Sequence, residues 1–171
     1  MSHQLTTNPS PTSIRTLQAL AILLLTTTAG ASSSLSLFLV PRLMESPTRL
    51  MVEQFRRALA SSQRILSAPI AILLPGLLHA YLACAVPGEK RKARVLYAVA
   101  AALTLSAWPW TRLAMEPLQS RLEERAVMAT TLDEEEPRTA HQLVDSWAMR
   151  NLYRPVVNLA AGVIGLYAAL W

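Results

Sequence analysis

Between Arg15 and Arg42 the chain carries no ionisable side chain. Residues 17–40 are therefore long enough to cross a hydrocarbon core, which takes about 20 helical residues. In lipid only a helix or a closed barrel satisfies its own backbone, so this stretch admits few structures. Apolar stretches recur at 65–86, 95–113 and 151–171, and the charged share of the whole chain is only 16%, against about a quarter in a soluble domain. The expected fold is all-α, an integral membrane four-helix bundle with those four spans and with amphipathic extramembrane helices in the two longer loops. Residues 1–14 read as a disordered tail, and 15–171 as a single membrane domain.

Ala29, Gly30 and Ala31 resemble the cleavage site of a secretory signal. The apolar pattern resumes at Leu35, Leu37 and Phe38, which favours a retained helix. Thr26, Gly30 and Ser34, spaced by four, suit close helix packing, with the hydroxyls bonding back to their own helix. Pro41 is expected to end the span. Beyond it, Arg49, Glu53, Arg56, Arg57 and Arg64 alternate with Leu50, Met51, Phe55 and Leu59, the pattern of an amphipathic helix on the membrane surface. The dense basic loop at 87–94 assigns itself and both termini to the cytoplasmic side. The endoplasmic reticulum or another endomembrane is the expected location. The net charge of +5 is accounted for by arginines flanking spans, so no nucleic-acid partner is expected.

Chemistry concentrates in 141–158. At about 100° per residue, Trp147, Asn151, Arg154 and Asn158 fall within a sector of about 60°. Pro155 lies inside that run and predicts a kink that frees the carbonyl of Asn151. His141 and Asp145 stand four apart on another face. His79 lies within the second span, where an ionisable group faces the bundle interior, as a neutral hydrogen-bonded imidazole or as a reactive group. Trp108 and Trp110 read as interfacial anchors. The three histidines have no paired ligand spacing, so no metal is expected. Amides and an arginine at a helix end also cap other helices or bind lipid headgroups.

The motif W-x-x-x-N-x-x-R at Trp147, Asn151 and Arg154 resembles the signature of the DUF1772 family, small four-helix membrane proteins that include fungal anthrone oxygenases. Met115, Pro117 and Leu122 match that family's M-x-P-x-N-x-x-L segment, with Gln119 in place of its Asn. The resemblance implies a secondary-metabolism monooxygenase that converts an anthrone-type polyketide to a quinone with molecular oxygen and no cofactor. The residues would then act as base (His141 oriented by Asp145, with His79 the alternative), as oxyanion donors (Asn151 and Arg154) and as substrate-binding groups (Trp147, Asn158, His79, Tyr81, Trp108 and Gln119). The partners expected are a small lipophilic metabolite, membrane lipid, and a second copy or other pathway enzymes. Two further classes stay open: a cofactor-free isomerase, cyclase or dehydratase on a lipophilic intermediate, and a non-catalytic scaffold or carrier.

Overall fold

The computed structural model describes residues 10–128 and 137–171, which form helices and short turns with no strand among them. The acidic run at 133–136 and most of the N-terminal tail lie outside the described residues. The first helix, α1 (Pro11–Ser34), starts at Ser10, whose hydroxyl accepts from the Ser13 N–H at 3.2 Å. Pro11 follows in the first turn, where a missing N–H breaks no bond.

Prolines shape the rest of the helices. Three π-helical turns, Leu35–Leu39, Pro69–Leu73 and Thr111–Met115, each precede a proline by two residues: Pro41, Pro75 and Pro117. A proline ring collides with the carbonyl four residues back and cannot donate to it. Widening the preceding turn to five-residue bonding moves that carbonyl aside. The bonds Val40 N–H to Leu35 O, Leu74 N–H to Pro69 O and Glu116 N–H to Thr111 O have this wider spacing. Pro41 therefore does not end the first helix. α2 (Val40–Met44) continues it, giving one helical run, Pro11–Met44, of 34 residues with mean hydropathy 1.6.

α3 (Thr48–Ile65) buries Met51, Val52 and Phe55 and turns its arginines outward. The chain then bends by 50° into the helix Pro69–Ala85, whose regular part is α4 (Leu74–Ala85). α5 (Arg91–Trp110) returns along the bundle and passes through its π turn into α6 (Glu116–Met128). α7 (Pro137–Asn151) and α8 (Tyr153–Leu170) meet at Leu152. The expected kink thus falls three residues before Pro155. That proline sits in the first turn of α8, where no N–H is needed. Together Ala140–Leu170 spans 31 residues with mean hydropathy 1.3, so among the described residues two helices are long and apolar enough to cross a membrane, and a third if the bent Thr48–Ala85 pair is taken as one.

α1 packs on α8 and α4, and α5 lies between α4 and α8. Small residues let these backbones approach: Ala100 and Ala161 are fully buried around Leu25, and a Cβ on Gly76 would fall 2.7 Å from Leu105. Leu23, Leu77, Val95, Val163 and Leu166 face outward, as lipid contact requires. The inward stripe of α1 is Ala21, Leu25, Thr28 and Ser32. Thr26, Gly30 and Ser34 are instead exposed, and a methyl at Gly30 would meet nothing within 4 Å. The α1 hydroxyls do bond back to their own helix, Thr28 to the Leu24 carbonyl at 2.7 Å and Thr26 to that of Ile22 at 2.9 Å. A second core, beyond one end of the bundle, joins Val40, Met51, Phe55, Met115, Leu122 and Trp147.

Candidate active site

The face formed by Trp147, Asn151, Arg154 and Asn158 turns inward, and three of its members bond across the bundle. Asn151 is 1% exposed; its Nδ2 donates to the Ser32 carbonyl at 3.1 Å and to Ser36 Oγ at 2.9 Å. Arg154 donates to the Leu66 carbonyl at 3.4 Å, where α3 ends. The amide of Asn158 donates to Thr28 Oγ1 at 3.3 Å and to the Ala71 carbonyl at 3.4 Å, while its Oδ1 is buried without a partner. Asn151 at the end of α7 and Asn158 of α8 therefore bond the first two π turns, at Ser36 and Ala71. Trp147 meets the ring edge of Phe55 with centroids 4.9 Å apart, and its Nε1 is buried without a partner.

The other expected residues are dispersed. His79 is fully buried, with Nδ1 donating to the Pro75 carbonyl at 2.9 Å and Nε2 against Gly165. The ring packs α4 against α8, and its Nδ1 hydrogen bond stays within its own helix. Tyr81 is on the outer face, and Trp108 is half-buried with the Arg112 guanidinium 5.5 Å above its ring. His141 is half-buried on α7 and Asp145 is exposed. Gln119 alone among the expected residues lines a cavity between α3 and α6.

That cavity, of about 370 Å³, lies between α3 and α6, within the range of about 300–1,000 Å³ that suits a small organic ligand. Val52, Phe55, Leu59 and Leu122 form its apolar walls, and Arg56, Gln63, Gln119 and Glu123 supply polar groups. Elsewhere on α3, Arg57 and Arg56 both bond Glu53, and the Arg57 hydrogen bond holds that carboxyl below its ordinary value. The sequence reading missed the α3 wall. Its signal was the recurrence of Val52, Phe55 and Leu59 at helical spacing, which indicates a buried face without saying what that face covers. Among the described residues, no group of three or more His, Cys, Asp or Glu is placed to hold a metal.

The family profile described as anthrone oxygenase matches residues 55–164, more than half of the chain. This chain belongs to the anthrone oxygenase family. Anthrone oxygenase encC of Aspergillus fumigatus is 36% identical over 104 residues, which cover 54% of this chain and 56% of that protein. The match thus spans about half the length of the curated relative. No solved structure matches. The family match begins at Phe55, the residue that touches both the cavity and Trp147, and takes in Gln119 and the whole inward face of α8 as far as Ile164.

Proposed function

We propose that this anthrone oxygenase family member oxidises an anthrone-type polyketide to the quinone with molecular oxygen, without an organic cofactor or metal, in the cavity between α3 and α6. The observation that carries the reading is convergence on Phe55. The segment resembling M-x-P-x-N-x-x-L contributes Gln119 and Leu122 to the cavity around one side of this ring, and the W-x-x-x-N-x-x-R segment places Trp147 against it. Two stretches separated along the chain, each with family character, meet at the Phe55 ring, one through the cavity and the other through Trp147 behind it.

The substrate supplies the electrons. A base removes one proton from the CH2 opposite the ketone, and an extended enolate forms. One electron passes to O2, and recombination of the two radicals makes a C–O bond, giving a hydroperoxide after protonation. Loss of the second C–H proton and cleavage of O–O leave a carbonyl and release water, so CH2 and O2 become C=O and H2O. Within the lining, Glu123 is the proposed base, and Gln119, Gln63 and Arg56 are the proposed donors to the enolate oxygen. His141 and Asp145 lie off the lining; Arg154 bonds the end of α3, which carries one wall, while Asn151 and Asn158 bond the first helix and the turn before α4.

The test is anthrone turnover by membranes containing the full chain, with and without oxygen, scored against spontaneous oxidation. Oxygen-dependent quinone formation that is lost in Glu123→Gln and Gln119→Ala is expected. Quinone at the background rate overturns the oxygenase. Anaerobic consumption of the substrate would instead support a redox-neutral isomerase, cyclase or dehydratase in the same slot, and no consumption at all a carrier.

A further inference from the structure

The end of the bundle opposite the cavity carries a collar of unneutralised positive charge. Ile14 and Leu17 of α1, Val86 at the end of α4, Ala93 of α5 and Ala168 of α8 pack into one cluster there. Around it stand Arg15, Lys90, Arg91, Lys92 and Arg94, all exposed. Glu89 is the one acidic residue between Val86 and Val95. Among the described residues no ion pair joins it to any of these cations. Two of them bond backbone carbonyls instead, Lys90 Nζ that of Trp171 and Arg94 Nε that of Ala83, each at 3.0 Å. Arginines towards the other end do have carboxylates: Arg42 meets Glu45, Arg57 meets Glu53 and Arg112 meets Glu116.

These charges do not serve their own helix. Arg91, Lys92 and Arg94 stand at the start of α5, whose first turn holds no acidic residue, and the positive end of a helix dipole repels cations. The surface beside them is apolar. Val95 is 54% exposed and Val99 42%, and four residues of helix set Val95 about 6 Å from Arg91 along the axis. On α8, Tyr167 and Trp171 are exposed with ring centroids 5.8 Å apart, as aromatic side chains are at a membrane boundary.

We infer that this collar binds anionic phospholipid of the surrounding leaflet, with the headgroup among the cations and the acyl chains along Val95 and Val99. Charge and apolar surface are continuous on α5, which matches a lipid; a free phosphate has nothing to lay against the valines. Each cation near an anionic membrane surface strengthens association by about fivefold. A zwitterionic headgroup brings its own cation into the collar and gains far less. The inference stands whichever reaction the protein catalyses.

Trp171 reports on this end, because Trp108 and Trp110 close α5 at the other end and Trp147 lies on α7. The full chain is reconstituted in phosphatidylcholine vesicles containing a minor fraction of brominated phosphatidylserine or of brominated phosphatidylcholine, and tryptophan quenching is compared. The Trp171 share, taken as the difference from Trp171→Phe, should be severalfold greater with the serine lipid and should fade as salt is raised. Arg91→Gln, Lys92→Gln and Arg94→Gln together should abolish the preference. Arg42→Gln, Arg49→Gln and Arg64→Gln together remove as many charges towards the other end and should leave it intact. Equal quenching of the wild type by both lipids overturns the inference without any variant, and leaves the collar to an acidic protein segment. A preference undiminished in Trp171→Phe places the lipid elsewhere, and one lost equally in both triple variants reflects net charge alone; either result also overturns it. Inorganic phosphate at matched ionic strength separates the two sources of the anion. If it abolishes the preference where chloride does not, the collar is a free-phosphate site and the lipid assignment falls.

Discussion

Gly165 and the imidazole of His79 occupy adjoining space so closely that a Cβ on residue 165 would fall 2.5 Å from Nε2. The ring cannot swing away freely, because Nδ1 is bonded to the Pro75 carbonyl at 2.9 Å. Gly165→Ala should therefore destabilise the bundle by about 1–3 kcal/mol through overpacking. Thermal unfolding in detergent checks this, and the same substitution in a His79→Ala background should cost much less. Equal losses in both backgrounds would refute the contact as the cause.

Asn151 satisfies a carbonyl and a hydroxyl of the first helix at once. Asn151→Ala leaves both without their donor, with an expected loss of about 1–2 kcal/mol. Unfolding measured beside activity separates the two effects. A catalytic collapse with unchanged stability would move Asn151 from the scaffold into the chemistry.

Arg154 reaches the α3 terminus, and α3 carries one wall of the cavity. Loosening that terminus should spoil substrate binding more than turnover. KM for the anthrone is expected to rise about tenfold in Arg154→Ala, the equivalent of one charge-assisted hydrogen bond. Arg154→Lys should restore part of it. A fall in kcat at unchanged KM would contradict the positioning role.

Gln119 stands where the family segment has the shorter Asn. Gln119→Asn withdraws the amide by one methylene and enlarges the slot; kcat/KM for small and large anthrones should shift in opposite directions, with bulkier substrates favoured. Identical changes for every substrate would show that the side chain does not gauge size.

Glu53 accepts from Arg57 at 2.7 Å and from Arg56 at 3.1 Å, and its folded-state pKa lies below the ordinary 4.5. Its contribution to stability is thus present above that value and is lost as pH falls through the lower folded one. Unfolding of wild type and Glu53→Gln should differ slightly at neutral pH and converge in acid. The pair is exposed to solvent, so the difference is small.

Local patterns carried the helices and their faces. The uncharged run between Arg15 and Arg42 admits little except a membrane helix, and the spacing of Trp147, Asn151, Arg154 and Asn158 puts them on one face whatever surrounds it. Both follow from a period that is a property of the backbone alone. Which neighbour each side chain meets is a property of helix packing, and the sequence was silent there. Nothing local pairs Asn151 with Ser36, places Gly165 rather than a cavity beside His79, or sets α3 opposite α6 to leave a slot around Phe55. The prolines illustrate the division: Pro41 read alone predicts the end of a helix, but packing against α3 and α7 keeps the chain helical through it, with the π turn at Leu35–Leu39 absorbing the clash. Long-range contacts of this kind decided where the candidate site lies, because they stabilise one register of helices over others that the same periodicities allow.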